Sequence, residues 1–397
     1  MSDIVIIGAS ASGISAAKEI RKIDPNIAIT LITDDSNYPY YRPFLTEYIG
    51  NSDVESKSNF FLNNENWYAE NNINLIRNEI IKQVLTEKKT VISQSGHTYK
   101  YDKLILATGS NPFVPIKGAL GLKNVFTVRS LADARKVYHY SNTIKKSVII
   151  GGGPLGLEAA YSLHTKGIDV TIIELGKRLL AAQLDQEGSE FLYDIIHKNG
   201  VNVQLGESAE EIIGDDIATA VKLSSGRIIE TEMIIFSIGV RSNLDLPVAS
   251  GIAVDKAIVV NEKMETSVSD IYACGDVSQY NGKCIALWMP AIKKGKVAGS
   301  NAAGKELLYD EEIYPSVLNS FNTRLFSFGE IIVDEKSEEN KIFRHIDSDK
   351  NIYKKVFFRK DIIAGFILIN DISQAQKLSL AVKEGKTYTD VIGSIIK

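Results

Sequence analysis

Two stretches decide how this chain reads, IVIIGASASGISAAKEI at residues 4–20 and SVIIGGGPLGLEAAYSL at residues 147–163. Each opens with a β-branched run suited to a buried strand, passes through a glycine-containing turn and continues as an Ala-rich helical pattern. A second apolar run closed by an acid follows each of them, IAITLITDD at 27–35 and IDVTIIELG at 168–176. Self-similarity of this kind marks a repeated supersecondary unit. The order strand, glycine turn, helix, strand is that of a dinucleotide-binding βαβ unit, here written twice.

The second unit carries the complete pattern. Gly151, Gly153 and Gly156 form G-x-G-x-x-G, with Pro154 and Leu155 inside it, so the turn is tight, a pyrophosphate can approach the backbone, and the helix packs close to the strand. The helix N-terminus then presents free N–H groups and the positive end of its dipole to the phosphates. Glu174 closes the second strand, where a carboxylate accepts hydrogen bonds from a ribose diol and repels a 2′-phosphate. This favours NADH over NADPH, although Lys177 and Arg178 follow closely enough to tolerate a phosphate. In the first unit Gly8, Ser10 and Gly13 give G-x-S-x-x-G, and Ser12 lies in the same turn. The Ser10 hydroxyl is small and can itself donate to a phosphate. Asp34 and Asp35 compete for the role of ribose acid, with Asp35 preferred.

The 397 residues are enough for two or three domains. A net charge of −4 gives no broad electrostatic reason to bind nucleic acid or an anionic membrane. Residues MSD lead straight into IVIIG without a basic or apolar leader, and no apolar run reaches the ~20 residues of a membrane span, so a cytoplasmic protein is expected. The two cysteines, Cys274 and Cys284, form neither a disulfide framework nor a Cys-x-x-Cys pair, and read as reduced, semi-buried side chains. His97, His139, His164, His197 and His345 have no metal-ligand spacing, so no metal site is expected. Between the repeats, YKYDKLILATG at 99–109 reads as a buried strand ending in a turn, preceded by a β-meander through Thr90 and Gly96. A helix is expected from Pro290 through PAIKKGKVAGSNAA. Beyond Asp310, KNIYKKVFFRKDIIAGFILIND at 350–371 reads as an antiparallel hairpin followed by a C-terminal helix.

Two dinucleotide sites in one chain call for two dinucleotides, and a flavin with a nicotinamide is the economical pair for a reaction between them. The paired glycine turns, LILATGSNP at 104–112, IIFSIGVRSN at 234–243 and METSVSDIYACGD at 264–276 together resemble the FAD/NAD-linked reductases related to the disulfide reductases, over roughly residues 1–310. Within that superfamily NYPYYRPFLTEYI at 37–49 is similar to the flavin-facing segment of rubredoxin reductases and, less closely, of ferredoxin reductases and the flavin portion of nitrite reductases. Ferredoxin reductases commonly carry a lysine where this chain has Glu47, which tilts the reading toward rubredoxin reductases. The resemblance implies an α/β fold with two Rossmann-like, glutathione-reductase-like domains and a small C-terminal α+β domain. Its expected limits are 1–112 with 242–310 for FAD, 113–241 for NAD and 311–397 for the last. It also implies Arg42 and Pro43 beside the flavin, Ala107, Thr108 and Gly109 at its dinucleotide, Asp276 on the ribityl chain with Gly275 allowing close approach, and Ile81 at the adenine. The Pro290 helix would offer the Ala291 N–H to the pyrimidine edge. Gly239 would line the nicotinamide dinucleotide, and Glu158 would orient the carboxamide, although the first turn of a helix favours an acid in any case. Trp288 reads as a packing aromatic.

The activity implied is hydride transfer from NADH to FAD, then electron transfer to a small carrier such as rubredoxin. The alternatives are the NADH-handling part of a nitrite reductase system, an NADH oxidase, or a non-enzymatic flavin-binding redox sensor. Lys293, Lys294, Lys354, Lys355 and Arg359 are candidates for a basic face toward an acidic carrier, and ordinary solvated side chains otherwise. Disulfide reductases and NADH peroxidases place a redox cysteine in the flavin-facing region, and here none occurs before Cys274. Alkylating both cysteines is therefore expected to leave flavin reduction by NADH largely intact. A reductive titration that shows a two-electron dithiol stage beyond the flavin would contradict this.

Overall fold

The computed structural model describes residues 3–334 and 337–394. The outer limits expected for the first and last domains, residues 1 and 397, lie outside them. In chain order, the first part forms β1 (Asp3–Ile7), α1 (Ala11–Ile23), β2 (Ala28–Ile32), α2 (Leu45–Gly50), β3 (Ile73–Ile76) and β4 (Lys103–Leu106). The middle forms β5 (Val125–Thr127), α3 (Leu131–Ser141), β6 (Lys146–Ile150), α4 (Pro154–His164), β7 (Asp169–Glu174), α5 (Gln186–Lys198), β8 (Asn202–Leu205) and β9 (Met233–Phe236). Then come β10 (Ile271–Ala273), α6 (Trp288–Ala302), β11 (Ser316–Ser320), β12 (Thr323–Gly329), β13 (Asn340–Asp347), β14 (Ile352–Arg359), β15 (Ile362–Ile369) and α7 (Ala375–Glu384).

The two sequence repeats are the centres of two parallel sheets, ordered β10-β4-β1-β2-β3 and β8-β7-β6-β9-β5. Strands buried on both faces read as unbroken apolar runs, and Ile4–Ile7 and Ser147–Ile150 are buried accordingly. The registers superpose the units: Ile7 pairs with Ile32 in one, Ile150 with Ile173 in the other. The chain crosses between the units on a two-stranded antiparallel ribbon, Ser110–Pro112 against Val240–Ser242. The expected meander is present as Ile81–Leu85, Thr90–Ser93 and Thr98–Lys100, with Gly96 turning at φ 89°.

A helix distant in sequence completes the first unit. α6 lies against α1 so closely that a Cβ on Gly295 would stand 2.2 Å from the Ser12 carbonyl oxygen, and one on Gly299 would stand 2.5 Å from that of Ala16. No side chain fits there. α6 also starts at Trp288, two residues earlier than expected, which places Pro290 in the first turn where its missing N–H costs nothing.

The C-terminal sheet is antiparallel, ordered β11-β12-β15-β14-β13, and its expected hairpin turns through Lys360 and Asp361 at φ 48° and 67°, the positive angles of a tight primed turn. One face packs against α7 through Phe358, Phe366, Leu368 and Leu378. The other merges with the second unit, so that Leu318, Phe321, Phe357 and Ile367 share one core with Leu157, Leu163, Leu192 and Ile196. A buried ion pair locks this seam. Asp185 caps α5 by accepting from the Gly188 N–H at 2.9 Å, and also accepts from the Tyr353 hydroxyl at 3.1 Å and Lys355 Nζ at 2.7 Å. Lys355 is 3% exposed. Burial and the adjacent carboxylate push the Tyr353 hydroxyl far above its ordinary range, so it stays a donor.

Removing one partner of a buried pair strands the other charge. Lys355→Met is expected to cost about 3–5 kcal/mol in equilibrium denaturation. Adding Asp185→Asn, which keeps the helix cap without the charge, is expected to recover much of that loss. A cost below about 1 kcal/mol for the single substitution, the level of a surface pair, would show that the pair does not hold the seam.

Candidate functional site

The two glycine turns are built alike. A Cβ on Gly8 (φ 107°) would stand 2.1 Å from the Ala107 carbonyl oxygen, and one on Gly151 (φ 118°) 2.3 Å from that of Ser237. A Cβ on Gly13 would stand 1.8 Å from the Gly8 carbonyl oxygen, and one on Gly156 2.0 Å from that of Gly151. These four glycines are therefore demanded by the fold itself. The middle position differs: around Gly153 nothing lies within 4 Å of a built Cβ. Only a ligand would require glycine there, which explains how Ser10 can hold the matching place as the N-cap of α1, its side chain making no capping bond. Ser12 is buried beneath Gly275, where a Cβ would stand 2.5 Å from its hydroxyl.

The ribose acids are not equivalent. Glu174 ends β7, where Oε2 accepts from the Gly152 N–H and Oε1 from the Gly176 N–H, both at 2.6 Å. The register places Thr33, not Asp34 or Asp35, at the matching position of the first unit. Asp34 is exposed. Asp35 is turned back on its own loop, with Oδ1 accepting from the Asn37 N–H and Nδ2 and Oδ2 accepting from the Tyr40 hydroxyl at 2.9 Å. That hydroxyl in turn accepts from the Leu131 N–H at 2.8 Å, tying the loop to the start of α3.

Between the units lies an electropositive cradle. Asp276 Oδ2 accepts from Arg129 Nη2 at 2.8 Å and from the Ser110 hydroxyl at 2.9 Å, while the Asp276 carbonyl accepts from the Ser242 hydroxyl at 2.7 Å. Thr108 and Gly109 are held by Asn243, whose Nδ2 donates to the Thr108 carbonyl and whose N–H donates to that of Gly109. Arg42 and Pro43 form a short 3₁₀ turn, and the Arg42 charge is close enough to Arg129 to be felt there. Arg129 Nε and Thr108 Oγ1 are buried without a hydrogen-bond partner. A guanidinium on the carboxylate, a second guanidinium close enough to be felt by the first, and buried donors left over suit an anionic ligand. The open space at Gly153 and the unfilled donors at Thr108 and Arg129 fit a pair of dinucleotides bound across this cleft.

No motif marked Arg129 in advance. The nearest signal is the capping box that follows it, in which Ser130 accepts from the Asp133 N–H and the Asp133 side chain accepts from the Ser130 N–H. Thr46 was likewise unmarked: its hydroxyl donates to Glu158 Oε2 at 2.7 Å, and burial raises Glu158 above the usual carboxylate range. Ile81 packs at the rim of the first core, beside a bulge in its strand pairing. Pro154 begins α4, Leu155 is 54% exposed at the turn, and Gly239 takes φ 99°.

Two expectations are corrected. Because α6 begins at Trp288, the Ala291 N–H donates to the Leu287 carbonyl at 3.1 Å, and the free N–H groups belong to Trp288 and Met289. The five basic residues form no face. Lys294 is 1% exposed with Nζ on the Ser278 carbonyl, Lys355 is buried on Asp185, Lys293 pairs with Glu312, Lys354 with Asp371 and Arg359 with Glu330. What surrounds the start of α6 is apolar: Leu287 and Met289 are exposed, and Trp288 packs edge-on against Tyr41 with ring centroids 4.9 Å apart. The cysteines are also unlike each other. Cys274 is fully buried, its thiol pushed up to about 12 by burial, and Cys284 is exposed. Among the described residues no group of His, Cys, Asp and Glu could hold a metal, and no helix is long and apolar enough to cross a membrane.

Residues 2–295 match the family model described as pyridine nucleotide-disulphide oxidoreductase, and residues 315–386 match that of the rubredoxin NAD+ reductase C-terminal domain. The chain is 35% identical over 377 residues to a nitrite reductase [NAD(P)H] of Bacillus subtilis, covering 94% of this chain but 46% of that protein. It is 33% identical over 392 residues to an NADH-rubredoxin oxidoreductase of Clostridium acetobutylicum, covering 98% and 96% of the two chains. The crystal structure of NADH:rubredoxin oxidoreductase from that organism superposes with a TM-score of 0.79 over 98% of this chain and 96% of the other. With two like-built dinucleotide turns, a charged cradle between them and a family match over most of its length, the chain belongs to the pyridine nucleotide-disulphide oxidoreductases.

Proposed function

We propose that this protein is an FAD-dependent reductase that oxidises NADH and delivers electrons to a small carrier protein of the rubredoxin class. The observation that carries the reading is the cradle at Asp276, where Arg129 Nε and Thr108 Oγ1 are buried donors without partners between two glycine turns, while the buried thiol of Cys274 is held protonated. When bound, FAD supplies the conversion of a two-electron donor into single electrons. The chain supplies position and charge. Gly8, Gly13 and the α1 N-terminus receive the FAD pyrophosphate, Arg42 and Arg129 neutralise it, and Asp276 takes the ribityl hydroxyls. Gly151, Gly153 and Gly156 receive the NADH pyrophosphate at α4.

Both Glu174 oxygens already accept one backbone N–H each, and a carboxylate offers about four lone-pair sites, so two remain for the ribose hydroxyls of NADH. A 2′-phosphate there meets a carboxylate that the backbone holds in place. Beyond it, Lys177 and Arg178 line a surface pocket together with Glu190 and Asp194, whose charges offset theirs. The preference for a rubredoxin-like acceptor is supported by the C-terminal match at residues 315–386 and by the relative that aligns nearly end to end. Docking falls to the apolar rim of Leu287, Met289 and Tyr41 rather than to a basic patch. The resemblance to about half of a nitrite reductase supports a second acceptor system, and turnover of NADH against rubredoxin, nitrite and oxygen side by side separates the two.

Losing one charge-assisted pair costs about 1.5–3 kcal/mol. Arg129→Ala is therefore expected to weaken FAD binding about 10- to 150-fold, read by equilibrium dialysis of the flavin. An unchanged flavin content at limiting FAD would remove Arg129 from the cradle. For Glu174→Ala, kcat/KM for NADH is expected to fall by about one to two orders of magnitude while NADPH loses little or improves. Equal loss with both nucleotides would assign Glu174 to its turn alone.

A further inference from the structure

α2, from the segment that faces the flavin in the first unit, packs along α4, the helix that opens the nicotinamide-binding unit. The contact is set at two positions one helical turn apart. Gly50 lies against Ser162, where a Cβ would stand 3.0 Å from the Ser162 carbonyl oxygen. Thr46, one turn earlier, donates to Glu158 Oε2 at 2.7 Å. Close approach at Gly50 thus sets the distance at which the Thr46 hydroxyl meets the carboxylate.

Glu158 has no cation beside it. On α2, Glu47 pairs with Lys57 at 2.6 Å and points to solvent, while Tyr48 faces Arg135 and Glu55. Glu174 at the end of β7 is engaged by Gly152 and Gly176, and β11 (SVLNS) presents no titratable group. Burial is what raises Glu158, and the Thr46 hydroxyl is what opposes it. Among the described residues Oε1 has no hydrogen bond. The carboxylate is therefore fixed through one oxygen and leaves the other as an acceptor.

We infer that Thr46 is a positioning residue for nicotinamide binding: its hydroxyl clamps Glu158 Oε2 and presents Oε1 to the carboxamide N–H of the nicotinamide. This rests on the reading of the Gly151 turn as the nicotinamide dinucleotide site. An ionised carboxylate only accepts, whereas a protonated one loses part of that capacity to its own O–H. Binding that uses the ionised form is present above the pKa of Glu158 and is lost as pH falls through it. Removing the hydroxyl that favours the ionised form moves that loss to higher pH.

The test is NAD+ affinity of the FAD-loaded protein by calorimetry across the pH range from the carboxylate region to neutrality. Thr46→Val, nearly isosteric, is expected to move the acid limb of affinity upward by about one pH unit, since one charge-assisted hydrogen bond is worth roughly one pK unit. Thr46→Ser is expected to restore it, and to serve should the valine variant fold poorly. Glu158→Gln is expected to flatten the limb, and Thr46→Val is expected to add nothing in that background. A fall by the same factor at every pH, or full additivity with Glu158→Gln, would reduce Thr46 to a packing residue and overturn the inference. If the unaltered protein shows no saturable NAD+ binding, the reading of the Gly151 turn fails instead, so the two failures are separable.

Discussion

The arrangement depends first on how closely α6 lies against α1. Gly295 and Gly299 on one helix meet the Ser12 and Ala16 backbone on the other at distances that exclude any Cβ. That approach brings the start of α6 and the Gly275–Asp276 segment over the Gly8 turn, although some 260 residues separate them (Asp276 minus Gly13 is 263). Small residues at one-turn spacing let two helix backbones touch, and dispersion over the whole contact then replaces what single side chains would contribute. Without it, the start of α6 would have no fixed relation to the glycine turn it faces.

From that fixed point the electrostatics of the cleft follow. The two units present carboxylates in different states of engagement. Asp276 is held by a guanidinium and a hydroxyl, Glu174 by two backbone N–H groups, and Glu158 by one hydroxyl without a cation. A guanidinium neutralises the first, backbone N–H groups cap the second and leave it lone pairs to spare, and a lone hydroxyl leaves the third costly to ionise. Complete burial pushes the Cys274 thiol up to about 12.

The C-terminal sheet belongs to this framework and is not an appendage to it. One of its faces completes the core of the second unit, and Asp185 joins helix capping to an ion pair across the seam. A buried pair of this kind adds specificity of docking more than net stability, because desolvation offsets most of the Coulomb attraction. The sheet is therefore set against the second unit through a contact in which misplacement leaves a charge uncompensated.

The repeated glycine turns, the β-branched strands before them, Glu174, the meander turning at Gly96 and the Lys360–Asp361 hairpin were all legible in the sequence. Each rests on a constraint local to a few residues: a positive φ, a missing Cβ or a strand period. The contacts that span the chain were not legible. Arg129 meets Asp276 from 147 residues away, Thr46 meets Glu158 across 112, and Lys355 meets Asp185 across 170. The same distance effect undid two expectations, and strand register makes the two units differ. Thr33 rather than Asp34 or Asp35 occupies the place of Glu174, because strand register decides which residue ends a strand. The Ala291 N–H is spent inside α6 because the helix begins at Trp288. The five basic residues find separate acidic or carbonyl partners on other elements. Sequence alone determined where the backbone must turn and which runs must be buried, since those follow from sterics and period. Tertiary structure alone decided which charges meet, since a side chain's partner depends on elements that the fold brings beside it.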